Sequence, residues 1–135
     1  MITGLDHVQL AAPPGSEAAL RAFYGGVLGL REIPKPPSLV GRGDGGTSLL
    51  ERSRELGGWF EAGEAQLHLG IDPDFHPARK AHPALRVAGL RAYAQRLAGQ
   101  GVQVSWNDDL PGHDRFYAYD PVGNRLEFLE RRGGG

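Results

Sequence analysis

Three histidines and one glutamate, His7, His68, His82 and Glu127, are the side chains of this sequence best suited to chemistry. The 135 residues include no cysteine, so thiolate nucleophiles, disulfides and cysteine-based zinc or iron–sulfur sites are excluded. Imidazole and carboxylate remain as the strong metal donors. Three imidazoles and a carboxylate suit Zn²⁺, Ni²⁺, Co²⁺, Mn²⁺ or Fe²⁺ at about 2.0–2.2 Å, with positions left open for water or substrate. The four lie far apart and form no short H-x-x-x-H signature, so only a fold that gathers them makes a site. Taken singly, a strand histidine is more often solvated or hydrogen-bonded than a ligand. Taken together, the four occupy equivalent places in an internal repeat and share one parity relative to their aliphatic neighbours.

The repeat is the device that must position them. Residues 5–11 alternate as a strand, with Val8 and Leu10 on one side and His7 and Gln9 on the other. After the turn Pro13-Pro14-Gly15, Ser16 is placed to cap a helix carrying Leu20, Phe23, Tyr24, Val27 and Leu28, which Gly29 ends. The same order recurs from His82. A strand over 82–87 precedes Leu90, Tyr93, Ala94, Leu97 and Ala98 on the identical helical template, closed by Gly99 and Gly101. Each half then ends on a strand with one ionisable residue between large apolar ones, Gln66-Leu67-His68-Leu69 and Arg125-Leu126-Glu127-Phe128. Module 1 covers about 4–72 and module 2 about 80–131 of a single domain. The first is longer because of its Pro-Pro-Gly turn and a polar stretch over 41–58. Within that stretch Ser48-Leu49-Leu50-Glu51 resembles a capping box for a short helix over 49–56, and the segment reads as a lid or an inert surface elaboration.

Parity divides the strands into an apolar face, which the helices cover, and a polar face. The first holds Val8, Leu10, Leu67, Leu69, Leu85, Val87, Leu126 and Phe128. The second carries the histidines, Gln9, Gln66, Arg86, Arg125 and Glu127 and belongs against a cleft, because it is too polar for a hydrocarbon layer. A strand over 115–119 adds Arg115, Tyr117 and Tyr119 on one parity, before the turn Asp120-Pro121-Val122-Gly123-Asn124. Arg115 is suited to a bidentate contact with an anionic group. Trp59, Phe60 and Trp106 are candidate aromatic walls of a pocket, although Trp59 is equally placed for a core and Tyr117 for a packed wall. His76 and His113 sit beside prolines and are assigned to loops, His113 with a secondary claim on substrate. The tail Arg131-Arg132-Gly133-Gly134-Gly135 is expected to fray.

Composition limits the function classes. Fifteen Lys and Arg against sixteen Asp and Glu, spread along the chain, give a net charge of −1, which disfavours nucleic acid and anionic membrane as partners. No apolar run approaches the roughly 20 residues of a membrane span, and the first residues carry Asp6 rather than base before their short apolar run, so a soluble cytoplasmic protein is expected. Twenty-one Gly and ten Pro predict many turns and short elements.

Three features carry a resemblance to a known family. They are the repeat, the strand-borne histidines, and the ending Tyr117-Ala118-Tyr119-Asp120-Pro121-Val122-Gly123-Asn124-Arg125-Leu126-Glu127-Phe128, with Phe23-Tyr24 and Val27-Leu28-Gly29-Leu30 at the first helix end. In these the chain resembles the vicinal oxygen chelate superfamily of glyoxalases, extradiol dioxygenases, fosfomycin-resistance transferases and bleomycin-resistance proteins. The resemblance implies an α+β fold of two βαβββ modules forming a cup-shaped mixed sheet with helices on its outer face, usually as a homodimer. It also implies a divalent metal held by His7, His68, His82 and Glu127, with Glu127 able to shuttle a proton and Tyr117 in contact with substrate.

Two function classes follow. One is a metal-dependent lyase, isomerase, transferase or dioxygenase acting on a small oxygen-chelating metabolite or xenobiotic, the metal serving as Lewis acid. The other is a non-catalytic small-molecule binding protein of the bleomycin-resistance type.

Overall fold

The alternation read from the sequence is carried by eight strands in a computed structural model that describes residues 1–34 and 58–133. The chain divides into two units, Met1–Pro77 and Ala78–Gly135. The first contains β1 (His7–Ala12), α1 (Glu17–Arg21), β2 (Arg31–Ile33), β3 (Trp59–Ala62) and β4 (Ala65–Ile71). The second contains β5 (Ala84–Arg86), α2 (Leu90–Gly99), β6 (Ser105–Asn107), β7 (His113–Tyr119) and β8 (Arg125–Arg131). Both sheets follow one plan, β1-β4-β3-β2 and β5-β8-β7-β6, in which the first strand pairs parallel with the last and the other pairings are antiparallel. This is the βαβββ module written twice, in the α+β class.

One face of each sheet is dry because its residues are aliphatic or aromatic at every second position. In the first unit Leu10, Leu67, Leu69 and Phe60 are buried, together with Leu20, Phe23, Tyr24 and Leu28 from the helical segment. Tyr24 stands 5.8 Å from Phe60. In the second, Phe116, Ala118, Leu126 and Phe128 are buried with Leu90, Ala94 and Leu97 of α2, and Tyr93 reaches the Phe128 ring at 5.7 Å. Non-directional burial of this kind drives each layer together.

Several local expectations are corrected. The first helix is not one regular α-helix: after Arg21 it continues as π-helix through Ala22–Val27, with Leu28 N donating to Phe23 O at 2.8 Å. The widened turns follow the Gly25-Gly26 pair, which imposes little side-chain packing of its own. Ser16 occupies the N-cap position, yet its hydroxyl donates backwards to Pro13 O at 2.6 Å and caps nothing. His82 lies outside the strand expected over 82–87, because Pro83 has no N–H for the ladder, and pairing starts at Ala84. Pro83 still contributes its carbonyl, which accepts from Glu127 N at 3.0 Å. His113 opens β7 and is no loop residue, whereas His76 does lie in a loop. Arg131 closes β8 against His113, and Arg132 Nε donates to Asp114 at 3.0 Å, so this part of the tail is tied down. The short helix over 49–56 and the lid lie outside the described residues, as does the segment 41–58 apart from Gly58, which is buried.

Candidate functional site

In the first unit, pairing places His7, Gln9, Gln66, His68 and Trp59 on one face: His7 is opposite Gln66, and both Gln9 and Trp59 are opposite His68. The Trp59 indole lies 3.8 Å from the His68 ring at an interplanar angle of 2°, and the His7 ring lies 4.1 Å from it at 16°. Because β3 and β1 flank β4, the two rings cover opposite faces of His68, which is only 5% exposed. His68 Nε2–H donates to Gln66 Oε1 at 2.8 Å. His7 Nδ1–H donates to Asp6 at 2.8 Å, which fixes its proton on Nδ1 and leaves the lone pair on Nε2, the arrangement that metal-bound histidines favour.

The second unit repeats this register. Ala84 and Tyr117 flank Glu127 as Gln9 and Trp59 flank His68. Glu127 is 6% exposed, and both its oxygens are engaged, Oε1 with His82 Nε2 at 2.9 Å and Oε2 with Arg115 Nη1 at 3.4 Å. Arg115 is aimed by its neighbour on β6: its Nε and Nη2 both donate to Asn107 Oδ1, at 3.1 and 3.0 Å. The Tyr117 ring stands edge-on to His82 at 5.5 Å, and the Arg125 guanidinium lies 3.8 Å over it.

The hydrogen bonding of His82 tests whether a cation fits. Its Nδ1–H donates to Lys80 O at 2.8 Å, while Nε2 faces a carboxylate oxygen. With Nδ1–H given to Lys80 O, the Nε2 lone pair faces Glu127 Oε1, an arrangement that a proton or a cation between the two would complete. Two ligand atoms bound at a right angle and about 2.1 Å from a metal stand roughly 3.0 Å apart, close to the 2.9 Å separation here. The pair His82 and Glu127 therefore fits a divalent metal, and His7 presents an Nε2 lone pair, whereas His68 gives its Nε2–H to Gln66 and lies stacked between the rings of His7 and Trp59. Among the described residues no group of three or more His, Asp or Glu stands close enough to hold a metal ion.

Of the residues expected to meet substrate, Arg115, Tyr117 and Trp59 lie on these polar faces. Trp106 does not. It pairs with Phe116 in register and so belongs to the helix-covered face, where its ring meets Phe116 edge-on at 5.3 Å and the Arg91 guanidinium sits 5.4 Å above it. A shallow groove of about 400 Å³ lies there, between Trp106, Arg91, Asp114 and Arg132, and shares Asn107 and Arg115 with the Glu127 face. Parity alone separates the two faces: Trp106 is one residue out of phase with Ser105 and Asn107. Asn107 was missed as a site residue, since only the β6–β7 register reveals its hold on Arg115.

The chain is similar over 98% of its length to 98% of a glyoxalase family protein from Bacillus anthracis, with 42% identity and a TM-score of 0.85. Two further structures share the fold at 19% identity and 96% coverage of this chain. One is lactoylglutathione lyase from Agrobacterium tumefaciens (TM-score 0.67, 94% of that chain), and the other is TnmS3, an antibiotic binding protein from Streptomyces sp. CB03234 (TM-score 0.66, 97% of that chain). No family model and no curated protein matches the sequence. No helix among the described residues is long and apolar enough to cross a membrane. With the doubled βαβββ plan and 42% identity across nearly the whole of both chains, the protein belongs to the glyoxalase family of the vicinal oxygen chelate superfamily.

Proposed function

We propose that this chain is a divalent-metal-dependent enzyme of the glyoxalase and dioxygenase type, acting on a small oxygen-chelating metabolite or xenobiotic. His7, His68, His82 and Glu127 are its proposed metal donors. The observation that carries this reading is the 2.9 Å approach of His82 Nε2 to Glu127 Oε1, a separation that two ligands of one cation would have. A bound divalent cation supplies Lewis acidity to substrate oxygens.

The rest of the work falls to the chain's own groups. Asp6 and the Lys80 carbonyl hold His7 and His82 in the tautomer that presents Nε2. Arg115, braced by Asn107, holds Glu127 Oε2 and so orients the carboxylate that would exchange a proton with substrate. Tyr117 and Trp59 line the two polar faces and orient the bound molecule. Assembly as a homodimer belongs to the same proposal and is read by sedimentation.

The test is elemental analysis of protein purified without chelators. The expected result is near-stoichiometric Fe, Ni, Mn, Co or Zn, lost in His82→Ala and Glu127→Gln while far-ultraviolet circular dichroism is unchanged. Full metal occupancy in both variants, or no uptake of any of these cations by folded wild-type protein, overturns it.

The stacking of Trp59, His68 and His7 favours a second reading, a non-catalytic carrier of flat small molecules. Likeness in fold to an antibiotic binding protein supports it. Ligand binding that survives a chelator separates this reading from the first.

A further inference from the structure

The sequence offered Arg115 as the residue that receives an anionic group, but each of its three nitrogens already has a partner. Nε and Nη2 are held by Asn107, and Nη1 by Glu127. Arg125 is different. It sits on the same face of the second sheet, across the ladder from Tyr119 and two positions along from the Tyr117–Glu127 pair. Its guanidinium lies 3.8 Å over the Tyr117 ring, a cation–π contact that fixes the plane of the fork. Of the five donors of a guanidinium, one has a partner among the described residues: Nη1 meets Arg79 O at 3.5 Å, the outer limit of a hydrogen bond, at the exposed end of the side chain. Nε is shut off from solvent with no partner. No carboxylate among the described residues pairs with Arg125, whereas Arg115, Arg21 and Arg132 each have one.

A half-buried guanidinium, flattened on an aromatic ring and left without a counter-charge, costs free energy that the fold recovers only when an anion arrives. The side chain is also pre-organised, since its rotamer is already held by Tyr117, so little entropy remains to be lost on binding. We infer that Arg125 is the anion-anchoring residue of this site, and that the substrate carries a carboxylate or phosphoryl-type oxyanion seated on the outer edge of the Arg125 fork beside Tyr117. This rests on the reading of the Glu127 face as the substrate site and adds to it a substrate class and a residue that sets specificity.

The probes are inorganic phosphate and lactate, with neutral lactamide as control. They are titrated into ¹⁵N-labelled full-length protein while the arginine Nε–Hε cross-peaks are followed by nuclear magnetic resonance. The sealed Nε of Arg125 exchanges its proton slowly, which makes its signal observable; R125K identifies it by deletion. The expected result is a saturable shift of that signal with phosphate or lactate and none with lactamide. R125Q should then weaken anion binding at least about tenfold, the loss expected for a charge-assisted hydrogen bond. R125K, which keeps the charge but not the fork, should fall between the two and serves as the test if R125Q does not fold. An unmoved Arg125 signal, or anion affinity equal in wild type and both variants, overturns the inference. Cobalt uptake measured by absorbance on the same samples keeps the two readings distinguishable. Wild-type protein that takes up cobalt but binds no anion defeats Arg125 alone, whereas an anion held by Arg125 in protein that takes up no cobalt defeats the metal reading alone.

Discussion

Asn124 Oδ1 accepts the backbone N–H of Ala78 at 2.9 Å, a bond that joins residues 46 apart and ties the chain entering the second unit to its last turn. The same side chain donates from Nδ2 to Asp120 Oδ2 at 3.1 Å, while Asp120 Oδ1 accepts from Val122 N and Asn124 N. Asn124 is fully buried and Asp120 nearly so. The Asp-Pro-Val-Gly-Asn motif is thus a structural clasp rather than chemistry. Asn124→Ala removes an acceptor and a donor from a buried network and should cost about 1–3 kcal/mol. Asn124→Asp should cost more, because it sets a second carboxylate against Asp120. Urea denaturation reads both, and a loss under about 0.5 kcal/mol for either would show that the clasp does not stabilise the unit.

Glu130 replaces a conventional cap on α2. Its N-cap residue is Gly89, in the left-handed region at φ 75°, which has no side chain to offer. Glu130 reaches across from β8 to accept from Leu90 N at 2.9 Å and Gly89 N at 2.8 Å. The Leu90 and then the Gly89 amide hold the Glu130 carboxyl below its ordinary value, against a smaller upward push from burial and Asp114. A carboxylate lowered in the folded state stabilises above its unfolded value and loses that contribution as pH falls through the folded one. Wild type should therefore melt above Glu130→Gln at pH 7, with the gap closing as pH falls below about 4. A gap independent of pH would place the effect elsewhere.

Arg115 and Asn107 should behave as one unit. Removing Arg115 leaves the Glu127 carboxylate, whose side chain is 8% exposed, with His82 alone, and breaking such a pair from one side costs about 3 kcal/mol. Asn107→Ala removes only the brace and should cost about 1 kcal/mol. In the double variant the brace has nothing left to hold, so the total should fall short of the sum. Strict additivity in chelator-treated protein would mean that Asn107 does not act through Arg115.

Two glycines make opposite predictions from the space around them. A Cβ at Gly58 would stand 2.9 Å from the ring of Phe60, which is fully buried and unable to yield, so Gly58→Ala should destabilise by about 1–3 kcal/mol. Gly26 lies in the helical segment with nothing within 4 Å of its Cβ position, and Gly26→Ala should stabilise by up to about 1 kcal/mol. Thermal melts of the pair check both signs together.

What the sequence made legible was parity. Leu67 and Leu69 against His68, and Phe116 and Ala118 against Tyr117, obey a period of two that needs no partner strand to be read. The three-residue strands β2 and β6 are too short to show a period, so Trp106 could be read only as a candidate pocket wall, and its face is given by its register with Phe116. Contacts set by register were equally hidden. Asn107 meets Arg115 only because of the hairpin, Arg125 lies on Tyr117 because β7 and β8 pair, and Glu130 caps a helix some 40 positions earlier in the chain. His82 failed as a strand residue for a reason visible at Pro83, yet its value as a donor depends on the Lys80 carbonyl, which no side-chain pattern marks.

The parallel contact of Trp59 with His68 makes the first unit's part in metal binding observable by itself. The chain has two tryptophans, Trp59 and Trp106, and Trp106 lies on the opposite type of face, packed on Phe116 with Arg91. In W106F the remaining emission comes from an indole 3.8 Å from His68, close enough for a paramagnetic ion on that imidazole to quench it strongly. Cobalt should therefore quench W106F in a saturable way, and His68→Ala in the same background should abolish the response. A cation bound by His82 and Glu127 without the first unit would still give cobalt absorbance, but W106F would keep its emission. That outcome would remove His7 and His68 from the donor set while leaving the second unit's pair intact.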